Sequence, residues 1–451
     1  MNSRVTILLL LAAAMGASAQ SPADYPQREW RITPVVRCVQ KAMPSVVYLS
    51  SERLLPAADS AEQPPFAPQH EPTLYQAEYA LGSGCVVDPA GLILTNAHVV
   101  NRTPQPIVTL GNGSRYRASV VANDSYNDLA LLKVSVPPDV ELRPLAMAEP
   151  GDLLLGETVV IVGNPYGLGG TIVEGVLSAV NRRISYENIL VFDDLLQTDA
   201  PIHPGHSGAP LINLNGEMIG ITLANLQDAP GISFAIPQQR ISDMLGLWLI
   251  PERFGDVSLG MVPAMRRAPD GEIQFYLQDV IPNSPAEKAG LYRGMFISHF
   301  NGKLLEHDIM TISGTLWKLK SGESVTVTGD GKTVTVKAEA MPARDWRELA
   351  ELKLGLSLRS LTPQIAKELA YPEWNAMTVT TPPPGNPNVK RGDLLIQLGD
   401  VNIYTPDDLS RALANIRYGQ EVTAVLFEPV PETTPVQFKR KTAILSVSKK
   451  Q

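Results

Sequence analysis

The sequence predicts a mainly β protein: one large barrel or sandwich domain, followed by two small domains in tandem. Three observations carry this. From Ala80 to about Ala235 the chain is a series of short apolar runs punctuated by Gly, Asn and Asp: G-C-V-V-D, G-L-I-L-T, P-I-V-T-L, A-L-L-K-V, T-V-V-I-V-G and L-I-N-L-N-G-E-M-I-G-I. That spacing is characteristic of all-β domains. The last ~200 residues hold a weak repeat with a period of about 95, which suits two small tandem domains rather than a solenoid. A length of 451 residues is itself too great for one ordinary domain.

The elements follow in chain order. Met1-Asn2-Ser3-Arg4 leads into V-T-I-L-L-L-L-A-A-A-M and then G-A-S-A-Q, a secretory signal peptide over 1–19 with Ala17 and Ala19 as the small-residue cleavage pattern. A polar lead over 20–33 precedes V-V-R-C-V-Q-K-A-M-P-S-V-V-Y-L, a short amphipathic piece running into a strand. Residues 51–78 are rich in proline and lack apolar periodicity, so they are expected as a surface loop. The β-rich region follows, and Q-Q-R-I-S-D-M-L-G-L-W-L closes it as a helix. The first large domain is thereby expected over 34–250.

In the repeat, V-S-L-G-M near Gly260 is echoed by L-K-L-G-L near Gly355. N-S-P-A-E-K-A-G-L-Y-R-G-M-F-I is echoed by G-N-P-N-V-K-R-G-D-L-L-I. The copies are expected over 256–342 and 352–449. In the second, T-P-D-D-L-S-R-A-L-A-N-I supplies a helix with Thr405 as cap, Pro406 at its first position and Leu409, Leu413 and Ile416 on one face.

A net charge of −8 without acidic or basic blocks argues against nucleic acid as a partner. No apolar run of the mature chain reaches the ~18 residues of a membrane span. Export leads to an oxidising space, where the only cysteines, Cys38 and Cys85, could form a disulfide; both sit in apolar stretches where buried free thiols are equally plausible.

The stretch His203 to Pro210, H-P-G-H-S-G-A-P, permits three chemistries. It could be an α/β-hydrolase elbow, a protease serine loop with an oxyanion hole, or a histidine metal pair. An elbow serine is followed by a helix, yet Ser207 precedes two apolar strands around an Asn-Gly turn, a hairpin signal. His203 and His206 have no cysteine or third histidine nearby to complete a zinc site, so no metal is expected. A serine nucleophile needs a base, and the base a carboxylate. The histidines are His70, His98, His203, His206, His299 and His307. His70 lies in the proline-rich loop, and His299 and His307 fall in the first repeat copy. His98 ends G-L-I-L-T-N-A-H-V-V, and thirty residues on, Asp128 opens the strand of N-D-L-A-L-L-K-V.

Taken in order, T-N-A-H-V-V, N-D-L-A-L-L-K-V, G-N-P-Y-G-L-G, Q-T-D-A-P-I-H-P-G-H-S-G-A-P-L-I-N-L-N-G-E-M-I-G-I and I-S-F-A-I-P resemble the HtrA (DegP-like) family. The resemblance covers nearly the whole mature chain. It implies a chymotrypsin-like double β-barrel protease domain followed by two small α+β PDZ domains. It makes His98 the general base, Asp128 the orienting carboxylate and Ser207 the nucleophile, with backbone N–H groups of Gly205 and Ser207, flanking His206, as the oxyanion hole. It also implies an exported, periplasmic, ATP-independent endoprotease that acts on unfolded or misfolded proteins, without a cofactor, as a homotrimer or larger assembly gated by peptide C-termini at the PDZ domains.

Two departures bear on activity. The family's usual G-N-S-G-G carries His206 for the asparagine and Ala209 for the second glycine. Alanine at positive φ would cost about 1–2 kcal/mol, and an impaired loop would leave a non-proteolytic chaperone or adaptor as the alternative. Asp199 lies eight residues before Ser207, whereas trypsin-like enzymes place the acid that selects basic side chains six before; Pro201 stands there. The specificity pocket is therefore expected to be apolar, with Ile202, Leu223 and Ala224 as candidates. The PDZ carboxylate turns would be Leu259-Gly260-Met261 and Leu354-Gly355-Leu356. Met295 stands where the family often has aspartate, and the second copy is about four residues short before R-G-D.

Overall fold

The computed structural model of the protein describes residues 29–55, 75–100, 106–124, 126–163, 170–186, 189–225, 231–254, 257–341, 345–362, 364, 376–403, 406–416, 420–430 and 437–447. The expected signal segment, His70, Thr405 and the middle of the proline-rich stretch lie outside the described residues, as does the Ala224 side chain.

Helix α1 (Pro34–Ala42) starts where Thr33 accepts the Val36 N–H and Pro34 takes the first helical position. It buries Cys38, Val39 and Ala42 and hands the chain to a first closed barrel. Its strands are β1 (Val46–Leu55), β2 (Tyr75–Asp88), β3 (Leu92–Thr95), β4 (Ile107–Thr109), β5 (Arg115–Asp124) and β6 (Leu129–Val134), with the one-turn helix α2 (Ala97–Val100) following β3. They run in the order β1-β2-β3-β6-β5-β4, closed by β1 against β4. The second barrel has β7 (Thr158–Gly163), β8 (Thr171–Tyr186), β9 (Ile189–Thr198), β10 (Pro210–Ile212), β11 (Met218–Asn225) and β12 (Ser233–Pro237), in the order β10-β11-β12-β9-β8-β7. Closure leaves no unpaired edge strand.

The unbroken apolar runs have a simple cause. Successive strand residues face opposite sides; here Ile93, Ala130 and Leu132 fill the first barrel, while Leu92, Leu94, Leu129 and Leu131 join Val160, Val162, Ile212 and Ile221 in a cluster between the barrels. Both faces are buried, so polar alternation disappears. Each such leucine contributes roughly 1.5–3 kcal/mol by leaving water.

Two expectations are corrected. The stretch 51–78 is not all loop: β1 and β2 extend into it and pair from Ser51↔Tyr79 to Leu55↔Tyr75. The cysteines are not joined. Both are buried free thiols; Cys38 Sγ turns to the Val35 carbonyl at 3.1 Å, and Cys85 Sγ packs 3.7 Å from Met218 Sδ. Burial pushes the Cys85 thiol up to about 12, so it stays protonated and inert.

After the barrels, α3 (Gln238–Trp248) and the single turn α4 (Pro251–Phe254) lead to a first C-terminal unit. It contains β13 (Val257–Ser258), β14 (Met261–Arg267) and β15 (Ile273–Val280), with short helices Pro285–Lys288 and Met310–Leu316 and the hairpin Ser324–Gly329/Lys332–Lys337. Its Leu259, Met261, Met265 and Leu277 belong to the same hydrophobic cluster as the inter-barrel residues, joined through Ile241, Leu245 and Trp248 of α3. The second unit has a cluster of its own, which starts earlier than the repeat implied, at Trp346 and Leu349 of the helix Trp346–Leu354. Its five-strand path is flanked by the expected helix Pro406–Asn415, with Leu409, Leu413 and Ile416 buried.

Candidate active site

His98 sits in a one-turn helix, Ala97–Val100, at the end of β3. Asp128 stands in the turn before β6 with φ 51, a left-handed conformation that Asp tolerates better than most residues. The turn is built by Asp124, whose carboxylate accepts the Tyr126 and Asn127 amides at 2.8 and 2.9 Å. Asp128 grips His98 at two points: Oδ2 lies 2.7 Å from the ring Nδ1, and Oδ1 accepts the His98 backbone N–H at 2.9 Å. Asn96 donates its side-chain amide to the Asp128 carbonyl at 2.9 Å. Asp128 is buried, while the His98 side chain is 48% exposed, leaving Nε2 available in the cleft.

The serine loop hangs between β9 and β10 and is pinned to the first barrel through β2. Ser83 donates its N–H to the Ser207 carbonyl at 2.9 Å and its hydroxyl to the Gly205 carbonyl at 2.8 Å. A Cβ on Gly82 would meet the Ser207 carbonyl at 2.7 Å and the Val99 side chain at 2.9 Å. Ser207 and the segment beside His98 thus close on the same point of the cleft. Among the described residues, the Ser207 hydroxyl has one partner, the Leu223 carbonyl at a long 3.4 Å, and no hydrogen bond joins it to His98. Such bonds are often long in unliganded enzymes.

The loop's backbone has a definite polarity. Gly205 and Gly208 have φ of 98 and 82, which an L side chain would oppose. The His206 N–H turns inward to the His203 carbonyl at 2.9 Å. Among the described residues the Gly205 and Ser207 amides donate to no protein acceptor. Thr222 buttresses the loop from below, its hydroxyl bonded to the carbonyls of His206 and Ala209.

The two departures from the family pattern fit this frame. Ala209 is not among the positive-φ residues; its methyl is buried in the second barrel core and its N–H bonds the His206 carbonyl at 2.8 Å. The His206 ring is fully buried, and its Nδ1 accepts the His203 N–H at 3.0 Å. The ring proton is therefore on Nε2, which is buried and has no hydrogen-bond partner among the described residues. Burial, and secondarily the neighbouring His203, lower the His206 pKa to about 4. Gly163 makes room for the ring, since a Cβ there would lie 2.6 Å from His206 Cδ2.

Of the other candidates, Asp199 accepts the Val176 N–H at 2.7 Å. Ile202 lies in the second barrel core and Leu223 in the inter-barrel cluster. The Leu259 and Gly260 amides both donate to the Glu252 carboxylate, at 2.6 and 2.7 Å, while Met261 opens β14. Leu354 ends its helix; Gly355, left-handed at φ 64, and Leu356 cap it by donating to Glu351 and Ala350. Sequence reasoning missed Ser83, Asn96, Thr222 and Glu252. T-N-A-H held a signal for Asn96; the others are common residue types whose role exists only in space.

Two closed barrels carrying a histidine, an aspartate and a glycine-flanked serine at their cleft define a trypsin-like serine endoprotease. The family described as trypsin-like peptidase domain matches residues 82–221. A probable DegP-like periplasmic serine endoprotease of Chlamydia pneumoniae is 32% identical over 361 residues, spanning 74% of this chain and 71% of that one. The periplasmic serine endoprotease DegP of Escherichia coli K12 is 34% identical over 279 residues, 58% of this chain and 56% of the other. A DegP-like relative from Halomonas elongata is 25% identical across 95% of this chain and 96% of its own. Among solved structures, the HtrA-type protease AlgW with a decapeptide aligns over 69% of this chain and 99% of its own, at 25% identity and a TM-score of 0.43. The chain belongs to the DegP-like (HtrA) family of periplasmic serine endoproteases.

Proposed function

We propose that the chain hydrolyses peptide bonds through an acyl-enzyme, with Ser207 as nucleophile, His98 as general base and Asp128 as the orienting carboxylate. The observation that carries the reading is the two-point grip of Asp128 on His98, which fixes the proton on Nδ1 and leaves Nε2 unprotonated for the serine hydroxyl. Ser207 Oγ attacks the substrate carbonyl as its proton passes to Nε2. The developing oxyanion is received by the Gly205 and Ser207 amides. The proton then goes to the leaving amine, and water, activated by the same imidazole, releases the acid product.

The unstrained Ala209 and the fitted His206 support turnover over a purely chaperone-like role. We further propose an exported, periplasmic enzyme acting on unfolded polypeptides without nucleotide, with PDZ-type C-terminal units and a homo-oligomeric assembly; the N-terminal sequence and the periplasmic relatives support the export, and the family resemblance of the motifs supports the rest. A fluorophosphonate probe is expected to label the wild type and not Ser207→Ala. His98→Ala should abolish casein cleavage, while His206→Asn retains it. A wild type that stays unlabelled in the presence of activating peptide would sink the proposal.

A further inference from the structure

The Leu259-Gly260-Met261 turn is the place where a PDZ-type unit would hold a peptide's terminal carboxylate, and a carboxylate is already there. Glu252, on α4 and only 5% exposed, sets Oε1 2.6 Å from the Leu259 nitrogen and 2.7 Å from the Gly260 nitrogen. These are short, charge-assisted bonds, roughly twice as strong as neutral ones. Gly260 is left-handed at φ 86, and a Cβ on it would fall 2.1 Å from Ser284, so the turn closes tightly around its two donors.

The strand beyond the turn is filled as well. One edge of β14 pairs with β15 from Met261↔Val280 to Arg267↔Ile273. A peptide adding as a strand would need the other edge, and α3 lies along it. Gln239 donates its side-chain amide to the Met265 carbonyl at 2.8 Å. Gly246 approaches so closely that a methyl would sit 2.2 Å from the Pro263 carbonyl, with Ile309 Cγ1 3.8 Å from the same point. Pro263 also lacks an N–H on that edge, so a peptide ladder would lose one rung there. The continuous cluster from the barrels through α3 into Met261 and Met265 completes the seal.

We infer that Glu252 is an internal ligand of the first C-terminal unit. Its carboxylate takes the seat of a peptide C-terminus and, with α3 on the strand edge, clamps that unit to the protease barrels. This rests on reading the Leu259–Met261 turn as a carboxylate seat. Glu252 is tethered seven residues from Leu259, and short tethers give effective concentrations on the order of millimolar. A free peptide carboxylate at micromolar concentration therefore competes poorly, and the unit is closed to C-termini until Glu252 withdraws.

The test uses the full chain carrying Ser207→Ala, which prevents self-cleavage. Glu252→Ala is expected to speed amide exchange across Leu259–Met261 by at least about tenfold, with acetate at about 50 mM returning the protection. A fluorescent heptapeptide with an aliphatic end and a free C-terminal carboxylate should bind this variant at least about tenfold tighter than the parent. Its amidated form should show no gain. Should Glu252→Ala fail to fold, the near-isosteric Glu252→Gln is expected to show the same changes in smaller measure. Unchanged exchange in the foldable variant, or protection that acetate cannot restore in Glu252→Ala, overturns the inference. Measurable peptide binding of equal affinity in variant and parent does so too. If acetate restores protection but no peptide binds either protein, the internal ligand stands and the peptide-receptor reading is what fails.

Discussion

The buried ring of His206 should make the stability of this protein fall as the pH falls from 6.5 toward 4. In the folded chain Nδ1 accepts the His203 N–H and the ring is shut off from water, so its pKa drops from the ordinary 6.5 to about 4. Between those values the unfolded chain binds a proton that the native chain refuses. Stability from this group is complete above 6.5 and is lost as pH falls through the window. The full shift corresponds to about 3 kcal/mol, of which about 2 is lost by pH 5. Asp243 works against it. Burial raises that carboxyl to about 6, so its contribution grows as pH falls. The informative quantity is thus a difference between proteins. Urea unfolding of the Ser207→Ala chain and of the same chain with His206→Asn, at pH 7.5 and pH 5, leaves Asp243 common to both. The His206→Asn protein is expected to lose about 2 kcal/mol less between the two pH values. Equal losses in the two proteins would refute the buried, neutral imidazole.

The glycine positions of the serine loop should respond unequally. Gly208→Ala places a methyl at φ 82, 2.2 Å from the Ser83 carbonyl and 2.3 Å from Thr95 Oγ1; a loss of at least about 2 kcal/mol in urea unfolding and a collapse of turnover are expected. Ala209→Gly, at an ordinary backbone angle, should cost about 1 kcal/mol and keep most activity; the reverse ranking would contradict the loop geometry. At the junction of the C-terminal units, Arg253 Nη2 meets Asp400 Oδ2 at 2.5 Å in a largely buried pair, and the Asp400 carbonyl accepts the Asn123 N–H. Arg253→Met should release this contact at a cost of about 3 kcal/mol, read as faster amide exchange at Asn123.

The barrels were legible because strand burial on both faces writes itself as short apolar runs with turn residues between them. The proposed triad was legible because each member ends or opens such a run. What failed has a physical reason in each case. The disulfide between Cys38 and Cys85 required a direction for each Sγ, and spacing along the chain contains none. The loop over 51–78 hid strand ends at Glu52–Leu55 and Tyr75–Glu78, which pair with each other across the gap rather than through any periodic pattern. The cost expected for Ala209 assumed that the second glycine of the family pattern is the left-handed one, whereas Gly205 and Gly208 carry the positive angles here.

The repeat misled most instructively. Two similar turns, Leu259-Gly260-Met261 and Leu354-Gly355-Leu356, read alike as carboxylate seats, because a glycine between two large apolar residues is all that the pattern records. In space the glycine serves two different purposes. At Gly355 it reverses the chain at the end of a helix, and the amides that could hold a ligand are turned back to the carbonyls of Glu351 and Ala350. At Gly260 the amides of Leu259 and Gly260 turn together to the buried Glu252 carboxylate. The residue before Arg253 in Pro251–Phe254 thus holds the first unit while Arg253 holds the second. A single helical turn next to the protease barrels therefore carries one charged contact to each unit, beside the Glu149–Arg267 and Asp88–Lys318 pairs that also join the first unit to the barrels, and the Asp400 end of that chain reaches Asn123, five residues from Asp128. Asp400, Asn402 and Gln397 of the second unit all hydrogen-bond Asn123, so this unit meets the barrels on β5, the strand that ends at the Asp124 turn placing Asp128 against His98.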